Sequence, residues 1–169
     1  DTNPQEIGLK GIPLNATNTF SLVEHNGQLY AAGRGGYNSD TGGLDVIDAS
    51  TYAVTSLIDE NSFPSLITFS DDDDNSNDSY YHVTDVAVVS DNKAYATLNI
   101  EQGYQTLETK IVMINPTTQD LTVLSQPDAI NDKEISDLNV DANDRLWVAI
   151  ANADAPGILV MDTDTNTIS

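Results

Sequence analysis

The chain has no cysteine, only six basic residues, two histidines and one tryptophan, and each shortage removes a class of chemistry. Without cysteine there is no disulfide framework, no thiol nucleophile and no thiolate metal site. Six Lys and Arg against 27 Asp and Glu leave a formal charge of −21. Nucleic-acid binding is therefore excluded, because phosphate contacts need clustered cations. No apolar run approaches the roughly 20 residues that span a bilayer, and no leader-like segment opens the sequence. The chain starts at Asp1 without a methionine, which reads as the mature or clipped product of an exported protein. What is present is enough for a folded domain: 169 residues, 39% of them hydrophobic, suffice for one real core. The surplus acid has two readings, a solvated surface that keeps the protein soluble and a bound cation, with calcium as the natural choice.

The most informative feature is an internal repeat. Tyr30, Tyr95 and Trp147 each sit in an apolar run that is followed by a second run ending at Ile47, Ile114 and Met161. Behind each second run comes a turn of constant length. Ile47 to Val54, Ile114 to Leu121 and Met161 to Ile168 are all seven apart. They enclose Asp48-Ala-Ser-Thr-Tyr-Ala, Asn115-Pro-Thr-Thr-Gln-Asp and Asp162-Thr-Asp-Thr-Asn-Thr. Period-2 alternation dominates and helical periodicity is missing, so the chain is expected to be all-β. Recurrence every 40 to 50 residues or so is the mark of β-propeller blades.

Strand by strand, residues 19–58 form a first blade, with Asn26-Gly27 as its hairpin turn. Residues 59–84 form an acidic connecting loop, 85–124 a second blade, 125–135 another loop, and 136–169 a third blade cut short in its fourth strand. Residues 1–18 are expected to lend an outer strand, around 6–14, to a neighbouring blade. Three four-stranded antiparallel blades do not close a ring, since propellers typically have four to eight. The expectation is an incomplete ring, completed by more chain, a companion polypeptide or copies of itself, with an exposed sheet edge where it stops.

Leu146-Trp-Val-Ala-Ile-Ala-Asn followed by Gly157-Ile-Leu-Val-Met-Asp-Thr-Asp-Thr-Asn-Thr-Ile resembles a blade of the YVTN-type family of extracytoplasmic propellers. Leu29-Tyr-Ala-Ala-Gly with Leu44-Asp-Val-Ile-Asp-Ala-Ser, and Ala94-Tyr-Ala-Thr-Leu with Val112-Met-Ile-Asn-Pro, are looser versions of the same pattern. The resemblance implies a propeller and a surface or periplasmic setting. It supplies no catalytic residue.

Blade strands run up and down, so the short constant turns share one face and the variable loops share the other. Binding usually lives on the variable loops of a rigid scaffold. That face is expected to carry Arg34, Tyr37, Tyr80, His82 and Tyr104. It also holds Asp71, Asp72, Asp73, Asp74 and Asp78, hard oxygen ligands of the kind calcium takes, though without the glycine and terminal glutamate of an EF-hand. A solvated loop is the plainer reading. Gly33-Arg-Gly-Gly36 lacks the lysine and helix of a phosphate loop. Tyr30, Tyr95 and Trp147 read as packing between blades rather than an aromatic site. His25 and His82 fall on opposite faces, and no nucleophile pattern accompanies either. The functional expectation is a non-enzymatic, exported binding or assembly module. The rivals are a fragment of a propeller enzyme of the lactonase or quinone-dependent dehydrogenase type and a calcium-stabilised adhesive module.

Overall fold

The computed structural model describes residues 11–36, 41–71, 77–103, 105–124, 133, 135–151 and 156–168. These residues form twelve strands in three four-stranded antiparallel sheets, each built in chain order. The first sheet holds β1 (Thr19–His25), β2 (Gln28–Gly33), β3 (Gly43–Asp48) and β4 (Val54–Ile58). The second holds β5 (Ser79–Ser90), β6 (Lys93–Gln102), β7 (Gln105–Asn115) and β8 (Asp120–Val123). The third holds β9 (Ile135–Val140), β10 (Arg145–Ile150), β11 (Gly157–Asp162) and β12 (Thr167–Ile168). A single 3-10 turn, Pro64–Leu66, is the only helical piece among the described residues, and none of them makes a helix long and apolar enough to cross a membrane.

The sheets stack face to face, with the first strands β1, β5 and β9 side by side. The core accordingly lies between sheets, in two slabs. One joins Tyr30, Ala32, Leu44 and Val46 to Val83, Val86, Ala96 and Val112. The other joins Ala87, Tyr95 and Ile111 to Leu138, Leu146, Val148 and Met161. The second sheet is covered on both faces, which is why β6 is buried almost end to end instead of alternating. The three sheets do not close on one another into a ring among the described residues.

Local chemistry explains the turns. Asp48, Asn115 and Asp162 each accept two backbone N–H bonds from the second and third residues after them, an Asx turn. Four residues after each, Tyr52, Gln119 and Asn166 take φ of 60°, 63° and 54° and reverse the chain. The same spacing thus produces the same turn with three different side chains in the left-handed position. Asn26 and Gly27, at φ 49° and 77°, make the expected hairpin turn between β1 and β2.

Two expectations need correction. The second sheet reaches back into the stretch 59–84 read as a connecting loop: β5 begins at Ser79, and β6 and β7 run on to pair Gln102 with Gln105. Polar Glu101 and Thr109 make the ends of β6 and β7 look like a loop, yet Thr109, like Asn99, is fully buried in the ladder. Residues 11–14, read as the end of an outer strand around 6–14, form none, and residues 11–18 run on without a strand. They lie on the free face of the first sheet, where the Asp45 carboxylate accepts the N–H groups of Asn15 (2.6 Å) and Ala16 (2.8 Å). Gly33 makes room for them, since a Cβ there would collide with the Thr17 carbonyl, while one on Gly43 would collide with the Ile58 carbonyl oxygen of β4 at 2.8 Å.

Candidate functional site

The two ends of the sheet stack differ as their loops differ. At the end of the short turns, neighbouring sheets are tied by side chains. His25 Nε2 and Asn26 Nδ2 lie 3.1 and 2.7 Å from Asp91 Oδ1. Lys93 Nζ donates to the Thr163 carbonyl at 2.8 Å, and the Tyr95 hydroxyl donates to Asn166 Oδ1 at 2.7 Å. Burial, followed by the nearby carboxylates of Asp164 and Asp162, pushes the Tyr95 hydroxyl up to about 12. These contacts join turns and use up their polar atoms.

Between the second and third sheets runs a buried polar seam. Thr84 Oγ1 and Thr97 Oγ1 are 2.7 Å apart, Asn99 Nδ2 donates to Thr84 Oγ1 and to the Ile135 carbonyl, and the Thr109 hydroxyl donates to Asn99 Oδ1. Asp85 sits beside it. Its carboxylate accepts N–H bonds from Val86 (2.9 Å) and, across the sheets, from Leu138 (2.5 Å). Burial pushes the Asp85 carboxyl up, and a shared hydrogen bond with Asp137 adds to that, while bonds from Ser21, Leu138 and Val86 pull it down. Every group in the seam is satisfied, so its work is to fix the third sheet on the second.

The loop end holds the candidate site. β2 delivers Arg34 just beyond its last residue, β5 carries Tyr80 and His82 on one face, and β6 places Glu101 opposite Tyr80 in register. Glu101 Oε1 lies 3.2 Å from His82 Nδ1 and 3.9 Å from an Arg34 terminal nitrogen. The histidine contact is within ion-pair range but out of line for a directed hydrogen bond, so His82 Nδ1 has no hydrogen-bond partner among the described residues. Arg34 Nε likewise is buried and without one. The guanidinium stacks 5.2 Å over the Phe20 ring, a cation–π contact, while its side chain stays about one-third exposed. The His82 ring packs against Tyr80 at 5.3 Å.

Three of the five residues expected on this face, Arg34, Tyr80 and His82, thus meet at one corner. Tyr80 is not a surface contact, however. It is buried in β5 rather than exposed on a loop, and its hydroxyl donates to the Gly103 carbonyl at 2.8 Å. Tyr37 and Tyr104 lie outside the described residues, as do Asp72, Asp73 and Asp74. Of the acidic run, Asp71 is exposed, whereas Asp78 is buried and accepts the Ser70 N–H, which makes it a tie within its own loop. No group of three or more His, Asp or Glu able to hold a metal occurs among the described residues. Beside the corner, Asn15, Thr17, Thr41, Ser56, Asp59 and Glu60 line a half-open cavity of about 500 Å³. Sequence reasoning missed Glu101 and Phe20. The one available signal for Glu101 was an acid at the end of a strand that continues Asn99-Ile100, and it needed the strand's true length to be read.

No protein-family model matches the chain, and no curated protein does. Solved structures share its fold at low identity. The extracellular domain assigned to a hybrid two-component system from B. thetaiotaomicron matches with a TM-score of 0.56 at 14% identity, over 99% of this chain and 18% of that one. A protein assigned as a conserved lipoprotein from Clostridium novyi NT gives 0.54 at 14%, over 89% of this chain and 91% of that one. A GH43 β-1,3-galactosidase gives 0.55 at 15%, over 92% and 34%. At these identities the likeness is one of fold. The chain spans under a fifth of the first of these structures and about a third of the last.

Proposed function

We propose that the three sheets are consecutive blades of an extracytoplasmic β-propeller, and that the module binds a protein partner through its loop end, with the Arg34–His82–Glu101 corner as the anchor. The observation that carries the reading is the convergence itself. Arg34 is one of only six cations in a chain of charge −21. It comes to the loop end half-neutralised by Glu101, stacked on an aromatic ring and with a guanidinium edge open. Arg and aromatic side chains in such partly desolvated settings are what protein interfaces use as anchors. The blade reading is supported by the repeated strand order, the common turn and the adjacency of the three first strands. The exported setting is supported by the extracellular domain and the lipoprotein among the fold's neighbours. The rest of the loop end, rich in Asp and Glu, suits a basic partner surface and steers it in.

A test is cross-linking of the chain to extracellular proteins, comparing the native sequence with Arg34→Ala, Glu101→Gln and, at the short-turn end, Thr118→Ala. The expected result is a saturable cross-linked partner kept by the native chain and Thr118→Ala and lost with the two corner variants, at an affinity that weakens with salt. Equal capture by all four would overturn the loop-end reading.

A second reading, part of a propeller enzyme, draws on the galactosidase among the neighbours. Its active groups would be shared with blades beyond the three described. It requires a turnover that is lost in His82→Gln, whereas the binding reading requires only that the corner be intact.

A further inference from the structure

The cavity beside the Arg34 corner is negatively charged, with nothing in its described lining to balance it. Its wall is continuous with the corner, since Gly42 in the lining donates to the Tyr81 carbonyl at 2.7 Å, one residue before His82. Asn15, Thr17, Ser56 and Asn61 supply amide and hydroxyl oxygens, Asp59 and Glu60 supply two carboxylates, and no Lys, Arg or His is among the described lining residues. No ion pair among the described residues involves either carboxylate.

The lining is held in place before anything enters. Asp59 Oδ1 accepts the Asn61 N–H at 2.9 Å and the Ser62 hydroxyl at 3.0 Å, and the Tyr81 hydroxyl donates to the Asp59 carbonyl. These bonds orient the Asp59 carboxylate and leave its second oxygen for a ligand. Asp45 stands behind the wall. It shares a sheet face with Ser56, its cross-strand partner, and its Oδ2 accepts the N–H groups of Asn15 and Ala16. Its Oδ1 is buried without a hydrogen-bond partner among the described residues, and so is Thr41 Oγ1 in the wall itself. The negative field also reaches inward: burial, followed by the carboxylates of Asp59 and Glu60, pushes the Tyr81 hydroxyl up.

We infer that this cavity receives a basic side chain of the loop-end partner, its ammonium or guanidinium group held by Asp59 and Glu60. The inference rests on the loop-end reading above and names what the partner brings to it. Charge selects a cation. Geometry selects an organic one: no group of three or more His, Asp or Glu among the described residues could hold a metal ion, and about 500 Å³ is far more room than a bare ion fills. A guanidinium, with five N–H donors in a fork, matches carboxylate, amide and hydroxyl oxygens spread over one wall. The cavity is half-open, so a side chain enters while its backbone stays outside with the rest of the partner.

The test is titration of the full chain with the blocked tripeptide acetyl-Gly-Arg-Gly-amide, followed through the backbone amide NMR signals of Gly42, Gly43 and Asn61. Expected are saturable shifts at these three signals and none at Gly27 on the short-turn end, with binding that weakens as sodium chloride is added. The same tripeptide with citrulline, the neutral isostere, should leave them unmoved. Asp59→Asn and Glu60→Gln should each weaken binding about three- to tenfold, and Thr118→Ala should not change it. Shifts that do not saturate, that citrulline reproduces, or that ignore both carboxylate variants would overturn the inference. So would tighter binding of n-butylamine than of the tripeptide, which would mark a site for a free amine rather than for a partner's side chain. Should the variants fail to fold, the two tripeptides on the native chain decide it alone. A chain that captures its partner through Arg34 yet ignores the arginine tripeptide would overturn this inference and leave the loop-end function standing.

Discussion

Asp85 is the residue whose chemistry is most changed by folding. It is buried between sheets with two backbone N–H bonds, a hydroxyl contact from Ser21 and a carboxyl neighbour in Asp137, and its pKa is raised chiefly by burial. A group that binds its proton more tightly when folded than when unfolded stabilises the fold most below the ordinary carboxyl range. That contribution is lost as pH rises through the raised value. Unfolding midpoints measured from mildly acid to neutral pH should therefore fall as pH rises, and Asp85→Asn should flatten that slope. General repulsion among ionising carboxylates adds to that fall and hydrogen-bonded ones such as Asp48 oppose it, but both are common to the two proteins, so the difference between them isolates Asp85. The variant should also be weaker at every pH, since one amide oxygen replaces two acceptors. Asp48 behaves in the opposite sense: hydrogen bonds from Ser50 and Thr51 hold its carboxyl well below the usual range. Its stabilisation is complete above that range and is lost only in strong acid. The Asx turn at Asp48 was legible from spacing alone, because its bonds reach two and three residues along the chain. The environment of Asp85 was not, because Ser21, Leu138 and Asp137 come to it from two other sheets.

Strands show the same division. Alternation and the seven-residue turns located the strands, most of them to within a few residues, because side-chain period and turn chemistry are local properties. The exceptions were the ends of β5, β6 and β7, where Glu101 and Thr109 resemble loop residues until their partners are known. Asn99 is the centre of the seam, bonded to Thr84, Thr109 and the Ile135 carbonyl. Asn99→Leu would leave the Thr109 hydroxyl and the Ile135 carbonyl buried with fewer partners and should cost roughly 2–4 kcal/mol. The check is a lower denaturant midpoint at unchanged slope. The Ile135 carbonyl belongs to β9, so the loss should also loosen the third sheet, readable as faster amide exchange in β9 and β10 than in β2 and β3.

The whole molecule is governed by its charge and by what its outer faces are given to pack on. At −21, self-repulsion opposes the compact state over distances that a Debye length of about 10 Å at 0.1 M salt cuts short. The melting temperature should rise steadily as sodium chloride is added, and a flat response would mean that the acid is already neutralised by bound cations. Stacking sheets on both sides of β5–β8 gives the second sheet a complete environment and leaves the first and third with half of one. The exposure of Leu22 and Trp147 follows from that arrangement rather than from anything unusual in either residue. The loop-end corner belongs to this scale too: Arg34 from the first sheet and Glu101 from the second meet only because the two sheets stack.

By itself the sequence determined the strand order, the recurring turn, the equivalence of Tyr30, Tyr95 and Trp147 and the absence of cysteine. All of these depend on composition or on neighbours within a few positions. Only the tertiary structure decided that Tyr80 is core, that Glu101 is the partner of Arg34 and His82, that Asp78 is a loop tie and that Asn99 and Thr109 are buried. Those outcomes depend on which sheet face lies against which. Polar residues look alike in sequence whether water or another strand satisfies them, and the difference appears only when the sheets are stacked.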